Sequence, residues 1–317
     1  MAMKLLIGYD GSESADAALD DLRKAGLPRG VQALIVSVAE VFIPPESIRD
    51  QAPTRPMTVG RVQAAAAQAR AQAVQALKEA EDFAAEAEKR LRSYFPDWEV
   101  QSEALTGWPV DVLIQKADEW TADLVVVGSQ GRSALGRFVL GSVSRKVVTD
   151  SQHSVRVVRR ASSKNDGAPP RIMVGVDGSP EAEHAVRAVG MRLWQDGTEL
   201  RIVAVDDGTS PARISRILPR AAAMIRNHNE AVASAAREMV EWATTELRAI
   251  GLQVSSVVEK GNAQRVLIEE SRKWNADSIF VGSRKFSSTL QRFQLGSVST
   301  ALVSNAHCSV EVVRSAD

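Results

Sequence analysis

The residues best suited to chemistry lie between Gly128 and Ser142. Gly128-Ser129-Gln130-Gly131 is followed by nine residues and then by Gly141-Ser142. Glycines at such points let backbone N–H groups approach an anion with no Cβ in the way. Ahead of them runs Leu124-Val125-Val126-Val127, apolar and of strand length. Behind them, from Gly141, Val143, Val147 and Val148 recur at helical spacing. A strand, a glycine loop and a helix start, in that order, make an anion site. The first N–H groups of a helix have no partner inside it, and the helix dipole favours negative charge there. The chemistry expected is the holding of a nucleotide's phosphates. Neither the P-loop pattern nor the dinucleotide fingerprint occurs in the chain, so those two nucleotide folds lose their main support.

The complete spacing, Gly-x-x-Gly, nine residues, Gly-Ser, continued as Val-Ser, resembles the ATP-binding signature of the universal stress protein family. The resemblance implies ATP as the ligand. It implies that Asp10, after the first expected strand, and Val38, at the end of the second, hold the adenine and ribose end. By the same resemblance Gly128, Gly131, Gly141 and Ser142 hold the phosphates. Gly8, Gly11, Ser129, Arg132 and Val143 are carried as their neighbours in the expected nucleotide site. Mg²⁺ could accompany the phosphates without a dedicated cage of its own. Asp10-Gly11-Ser12 is also a good turn and helix cap with no ligand at all, and that alternative stays open.

These residues need a scaffold to position them. At 317 residues the chain is longer than most single cores, which makes two domains the natural expectation. Lys4 to Tyr9, Ala33 to Val38, Trp98 to Ala104, Leu124 to Val127 and Ser154 to Val158 read as strands. Helical segments separate them: one capped by Ser12 or Ser14, a long alanine-rich one from about Val59 to Tyr94, one opened by Pro109, and one from Gly141. The long helix reads as a solvated surface helix, with a partner-binding helix as the alternative. The polar, proline-bearing stretch before it, to about Pro56, reads as a mobile flap. Alternating strands and helices point to a parallel sheet covered on both faces.

The same programme then restarts. Ile172 to Ser179 repeats Leu5 to Ser12, Trp274-Asn275-Ala276-Asp277 repeats Trp120-Thr121-Ala122-Asp123, and Leu295 to Ser299 repeats Leu140 to Ser144. The expected organisation is a first domain over 1–160, a linker over 161–170 and a second domain over 171–317. The universal stress protein resemblance covers nearly the whole chain. It implies two α/β domains, flavodoxin-like or Rossmann-like (adenine nucleotide alpha hydrolase-like), each a five-stranded parallel sheet with helices on both faces. It further implies an intrachain pseudo-dimer through the fifth strands, Val155-Arg156-Val157-Val158 and Val310-Glu311-Val312-Val313, whose alternation of charge and valine suits a strand with one buried face. A homodimer of the whole chain is compatible with this.

The second copy departs from the motif. Asp177, Val205, Gly282, Gly296 and Ser297 keep their places, but Lys285 replaces the second glycine. The step from Gly282 to Gly296 is fourteen residues, against thirteen from Gly128 to Gly141. The first domain is therefore expected to bind ATP, and the second weakly, differently or not at all.

Composition narrows the function classes. Lys plus Arg and Asp plus Glu both number 39, leaving no net field for nucleic acid or an anionic membrane. A single cysteine, Cys308, gives no internal disulfide framework and suits a reducing compartment. No apolar run is long enough to span a bilayer, and the expected location is cytoplasmic. The four histidines do not form a metal-binding pattern with Cys308. His153 and His307, read as matching positions, suggest a repeated structural hydrogen bond. Three functions compete: a nucleotide-binding regulatory or protective protein of the stress response, acting on a protein partner still to be identified; a slow ATPase; and a nucleotide-independent scaffold.

Overall fold

The computed structural model describes residues 2–41, 56–132, 140–159, 168–206, 219–283 and 295–315. The first half runs β1 (Lys4–Gly8), α1 (Glu13–Asp21), β2 (Gln32–Ala39), α2 (Pro56–Tyr94), β3 (Glu99–Thr106), α3 (Pro109–Trp120), β4 (Leu124–Gly128), α4 (Ser142–Asp150) and β5 (Ser154–Val158). The second half repeats it as β6 (Arg171–Val176), α5 (Pro180–Gly190), β7 (Glu199–Asp206), α6 (Pro219–Ala249), β8 (Gln253–Lys260), α7 (Ala263–Lys273), β9 (Ser278–Gly282), α8 (Ser297–Asn305) and β10 (Ser309–Val313). The residues of the expected flap between 42 and 55, most of the expected linker (161–167) and Lys285 lie outside the described residues.

Within each half the five strands are parallel and lie in the Rossmann-like order 3-2-1-4-5. The two halves join edge to edge. β10 pairs antiparallel with β5, with Val310 opposite Val157, Glu311 opposite Arg156 and Val312 opposite Val155, so ten strands form one sheet.

Local chemistry sets the helix boundaries. Ser12 Oγ accepts from the Ala15 N–H at 3.1 Å and caps α1, and Ser179 does the same for α5 through Ala182 at 3.2 Å. Gly26, at φ +63°, turns the chain after the first helix, and the Trp194 ring lies where its Cβ would stand. The long helix α2 starts three residues before its expected beginning, at Pro56, where proline's fixed φ suits a first turn. Ala73, Ala80, Ala84, Ala87 and Leu91 form its buried stripe, and this part of the helix packs on β2 and β3.

The core differs between the two faces of the sheet. On one face a single apolar cluster runs through both halves, from Leu6 and Val125 through Val155, Val157, Val310 and Val312 to Met173 and Ile279. On the other, each half has its own cluster, around Ile7, Leu19 and Leu91 in the first and around Val174, Val186 and Phe280 in the second.

The fifth strands depart from expectation. Their charged residues do not face solvent: Arg156 and Glu311 are each 1% exposed. Each is the other's cross-strand partner, so the polar face is as covered as the valine face. A second correction concerns the histidines. β5 and β10 align Ser154 with Ser309, which puts His153 level with Cys308 and one residue out of step with His307. His153 Nε2 meets Asp118 at 2.8 Å, whereas His307 Nδ1 lies 3.5 Å from Ser271 Oγ and is pulled below the usual imidazole range by burial and by Arg272. The hydrogen bond is not repeated.

Candidate functional site

A cavity of about 490 Å³ opens at the C-terminal ends of β1, β2 and β4. This is where strand order reverses direction, between β1 and β4, and open parallel sheets gather ligands at such points. Of the expected site residues, Gly8, Asp10, Val38, Gly128, Gly131, Arg132, Gly141, Ser142 and Val143 line it. Gly11 and Ser129 do not.

The floor is apolar. A Cβ on Gly8 would stand 3.1 Å from the Leu113 side chain and 3.3 Å from that of Val127, so glycine lets α3 close under the cavity. One wall is built from Gly131, Gly141 and the start of α4. Gly141 is the N-cap of α4, and among the described residues no side chain caps that helix. Its N–H donates to Ser129 O at 2.8 Å, folding the glycine loop onto the helix start. Ser144 Oγ donates to Gly128 O at 2.6 Å and fastens the same joint from inside. Among the described residues, no side-chain oxygen caps the first N–H groups of α4, which lie at the cavity, the arrangement that suits an anion.

Opposite stands Asp10. Its Oδ1 accepts from the Ser12 N–H at 3.1 Å, and its Oδ2 lies 3.1 Å from where a Cβ of Gly131 would be. Arg132 sits at the mouth with its guanidinium 5.3 Å from the centre of the Phe83 ring of α2. Phe83 also covers Gly11 (φ +73°), whose Cβ would fall 2.6 Å from the ring. Gly11 thus belongs to the turn and to the packing of α2, and Ser129 is buried beneath the loop with its Oγ 3.4 Å from Ser14 Oγ.

Gly128 has its own structural reason. A Cβ there would come within 2.6 Å of the Ser14 carbonyl oxygen, a backbone atom of α1. In the second half Gly282 is tighter still, at 2.1 Å from Glu181 O. These two glycines are required by helix-on-strand packing, whatever binds nearby.

Sequence reasoning passed over Tyr9, Ala15, Val36, Glu40, Pro109, Leu113, Val127, Gln130, Leu140 and Ser144 as lining residues. Those next to expected residues were reachable from the motif. Leu113 and Pro109 come from α3, whose position over the sheet no local pattern encodes.

The second half has a corresponding but much smaller cavity, about 90 Å³, lined by Asp177, Val205 and Gly282 together with Val298 and Ser299. Gly296 and Ser297 do not line it. The Asp177 carboxylate is occupied locally: its Oδ1 accepts from both the N–H (3.0 Å) and the Oγ (2.5 Å) of Ser179.

Two repeated halves, each with a five-stranded Rossmann-like sheet and a cavity at the strand ends, define a tandem α/β protein. The universal stress protein family model matches residues 1–159 and again 170–314, and the chain belongs to that family, in tandem form. A universal stress protein of Mycobacterium tuberculosis is 31% identical over 216 residues, 68% of this chain and 69% of its own. One of Mycolicibacterium smegmatis is 25% identical over 316 residues, covering 98% of this chain and 96% of that one. Among solved structures, a universal stress protein from Archaeoglobus fulgidus aligns over 99% of this chain and 97% of its own, with a TM-score of 0.64 at 20% identity. No helix among the described residues is long and apolar enough to cross a membrane.

Proposed function

We propose that the N-terminal half binds an adenine nucleotide, ATP, and that the chain acts in the stress response as a nucleotide-dependent regulatory or protective protein. The observation that carries this reading is the uncapped N-terminus of α4 facing a cavity of about 490 Å³. That volume lies within the roughly 300–1,000 Å³ typical of small-molecule sites. In this reading the α4 N-terminus, Gly131 and Gly141 receive the phosphates, Arg132 leaves Phe83 to neutralise them, and Asp10 and Val38 take the ribose and adenine. The space at Gly131 and Gly141, which carry no side chain, fits phosphate oxygens. Among the described residues no cluster of three or more His, Cys, Asp or Glu could hold a metal ion. Mg²⁺ would then be held chiefly by the phosphates and water, as it commonly is.

In the second half, about 90 Å³ is too small for a nucleotide by the same standard. The second half is assigned as the non-binding or weakly binding partner of the first.

The test is to denature freshly purified protein, identify the released small molecule by chromatography, and titrate the stripped protein by calorimetry. One adenine nucleotide per chain is expected. No nucleotide and no heat of binding would leave the scaffold reading, and stoichiometric ADP release in a single turnover would favour the slow ATPase.

A further inference from the structure

The junction between the halves carries a buried row of charges. Arg156 Nε donates to Asp21 Oδ2 at 2.6 Å, and its Nη1 donates to Glu311 Oε2 at 3.1 Å. The other oxygen of Glu311 accepts from Arg192 Nη2. Asp21 Oδ1 also accepts from Ser309 Oγ at 2.7 Å, and Arg192 Nη1 donates to Ala25 O at 2.7 Å. Both Arg156 and Arg192 lie against the Phe280 ring, at 5.9 and 5.3 Å. The order across the junction is Asp21, Arg156, Glu311, Arg192, with signs minus, plus, minus, plus. The first two belong to the N-terminal half and the last two to the C-terminal half.

Much else at the junction is nearly symmetric and does not distinguish one half from the other. Val155 and Val157 face Val312 and Val310. Arg159 crosses to the carbonyls of Val303 and Ser304, at the end of α8, both at 2.8 Å. Arg314, at the matching position, crosses to His153 O at 2.7 Å and to Val148 O, at the end of α4. Two copies of either half could reproduce these contacts.

We propose that the buried row Asp21–Arg156–Glu311–Arg192 is a pairing code, by which each half's fifth-strand edge accepts the unlike half and refuses a like half from a second copy of the chain. Net charge does not do the sorting, because each half carries its own counter-ion. The order does. Two N-terminal halves would set the row as minus, plus, plus, minus, with Arg156 against Arg156. Two C-terminal halves would set it as plus, minus, minus, plus, with Glu311 against Glu311. Like charges directly opposed across strands repel, and burial strips away the water that would screen them. A duplicated chain needs such a device, since otherwise its two similar edges would link separate copies.

The experiment uses the full chain with a protease site placed within residues 161–167, folded first, then cleaved and incubated. Native mass spectrometry separates the three pairings, because the halves differ in mass. The cleaved wild type should hold unlike pairs over like pairs by roughly 100-fold, since opposed buried charges are costly. The apolar variant Asp21→Leu/Arg156→Met/Glu311→Met/Arg192→Met, which removes the whole row and strands no charge, should stay folded by circular dichroism, as buried ion networks replaced together by apolar residues usually do. It should also show like pairs approaching the statistical proportion. Like pairs abundant in the wild type would overturn the proposal, and so would strict unlike pairing in the apolar variant. Unfolding of that variant would overturn it too, since the charges would then serve cohesion. So would separation of the cleaved wild type into single halves, which would make the tether the cause of pairing.

Discussion

At the scale of single residues, glycine has two different reasons in this chain, and the motif alone does not separate them. Gly128 meets the α1 backbone at 2.6 Å from its would-be Cβ, while at Gly131 the nearest atom is the movable end of the Asp10 side chain at 3.1 Å. Gly128→Ala is therefore a folding variant, and the clean probe of the cavity is Gly131→Val. Gly131→Val should weaken adenine nucleotide binding at least roughly 30-fold by calorimetry, because filling the proposed phosphate position would remove charge-assisted hydrogen bonds. Its thermal midpoint, nucleotide-free, should stay within about 3 °C of wild type, as a surface substitution away from packing would. A large drop in midpoint would place Gly131 with Gly128, among the glycines that serve packing.

At the scale of elements, α4 is the part that both ends of the molecule share. Its N-terminus lines the larger cavity, and its C-terminus is held by Arg314 from the other half through Val148 O and His153 O. A cation satisfying the last carbonyls of a helix complements the dipole. Burial pulls the Arg314 guanidinium down, to about 10, and it remains charged at neutral pH. Arg314→Met should cost about 2–3 kcal/mol in urea unfolding, the scale of charged hydrogen bonds lost in a buried place. Arg314→Lys should recover part of this, with one compact charge replacing a fork. Equal loss from both variants would show that packing, and not the carbonyl contacts, is what matters there.

At the scale of the whole molecule, the halves close on one another, and Cys308 sits within the core they share. Burial pushes its thiol up from an ordinary 9.0 to about 12. The sign follows from linkage. The folded thiol keeps its proton where the unfolded chain has already lost it, so the stabilising contribution is complete below about pH 9. It is lost as pH rises from there towards 12. Between those limits wild-type stability should fall by about 1.4 kcal/mol per pH unit more than that of Cys308→Ala, the slope for one proton. Parallel stability curves for the two proteins from pH 9 to 11 would refute a buried, protonated thiol.

What the sequence determined by itself is what local pattern can carry. Residue periodicity, the Ser12 cap and Pro109 in a first helical turn, and the recurrence of Ile172 to Ser179 after Leu5 to Ser12 were enough for the order of elements and the duplication. The glycine spacing marked the loop that lines the larger cavity. Tertiary structure decided the rest. Arg156 and Glu311 read as the exposed face of an edge, yet they are buried because each finds its partner 155 residues away. Gly128 is constrained by a helix 114 residues before it, and the two cavities differ fivefold in size although their motifs differ by a few residues. Periodicity reports which side of an element is apolar. It carries no information about which distant surface will cover the other side, and that surface fixes burial, charge pairing and the room left for a ligand.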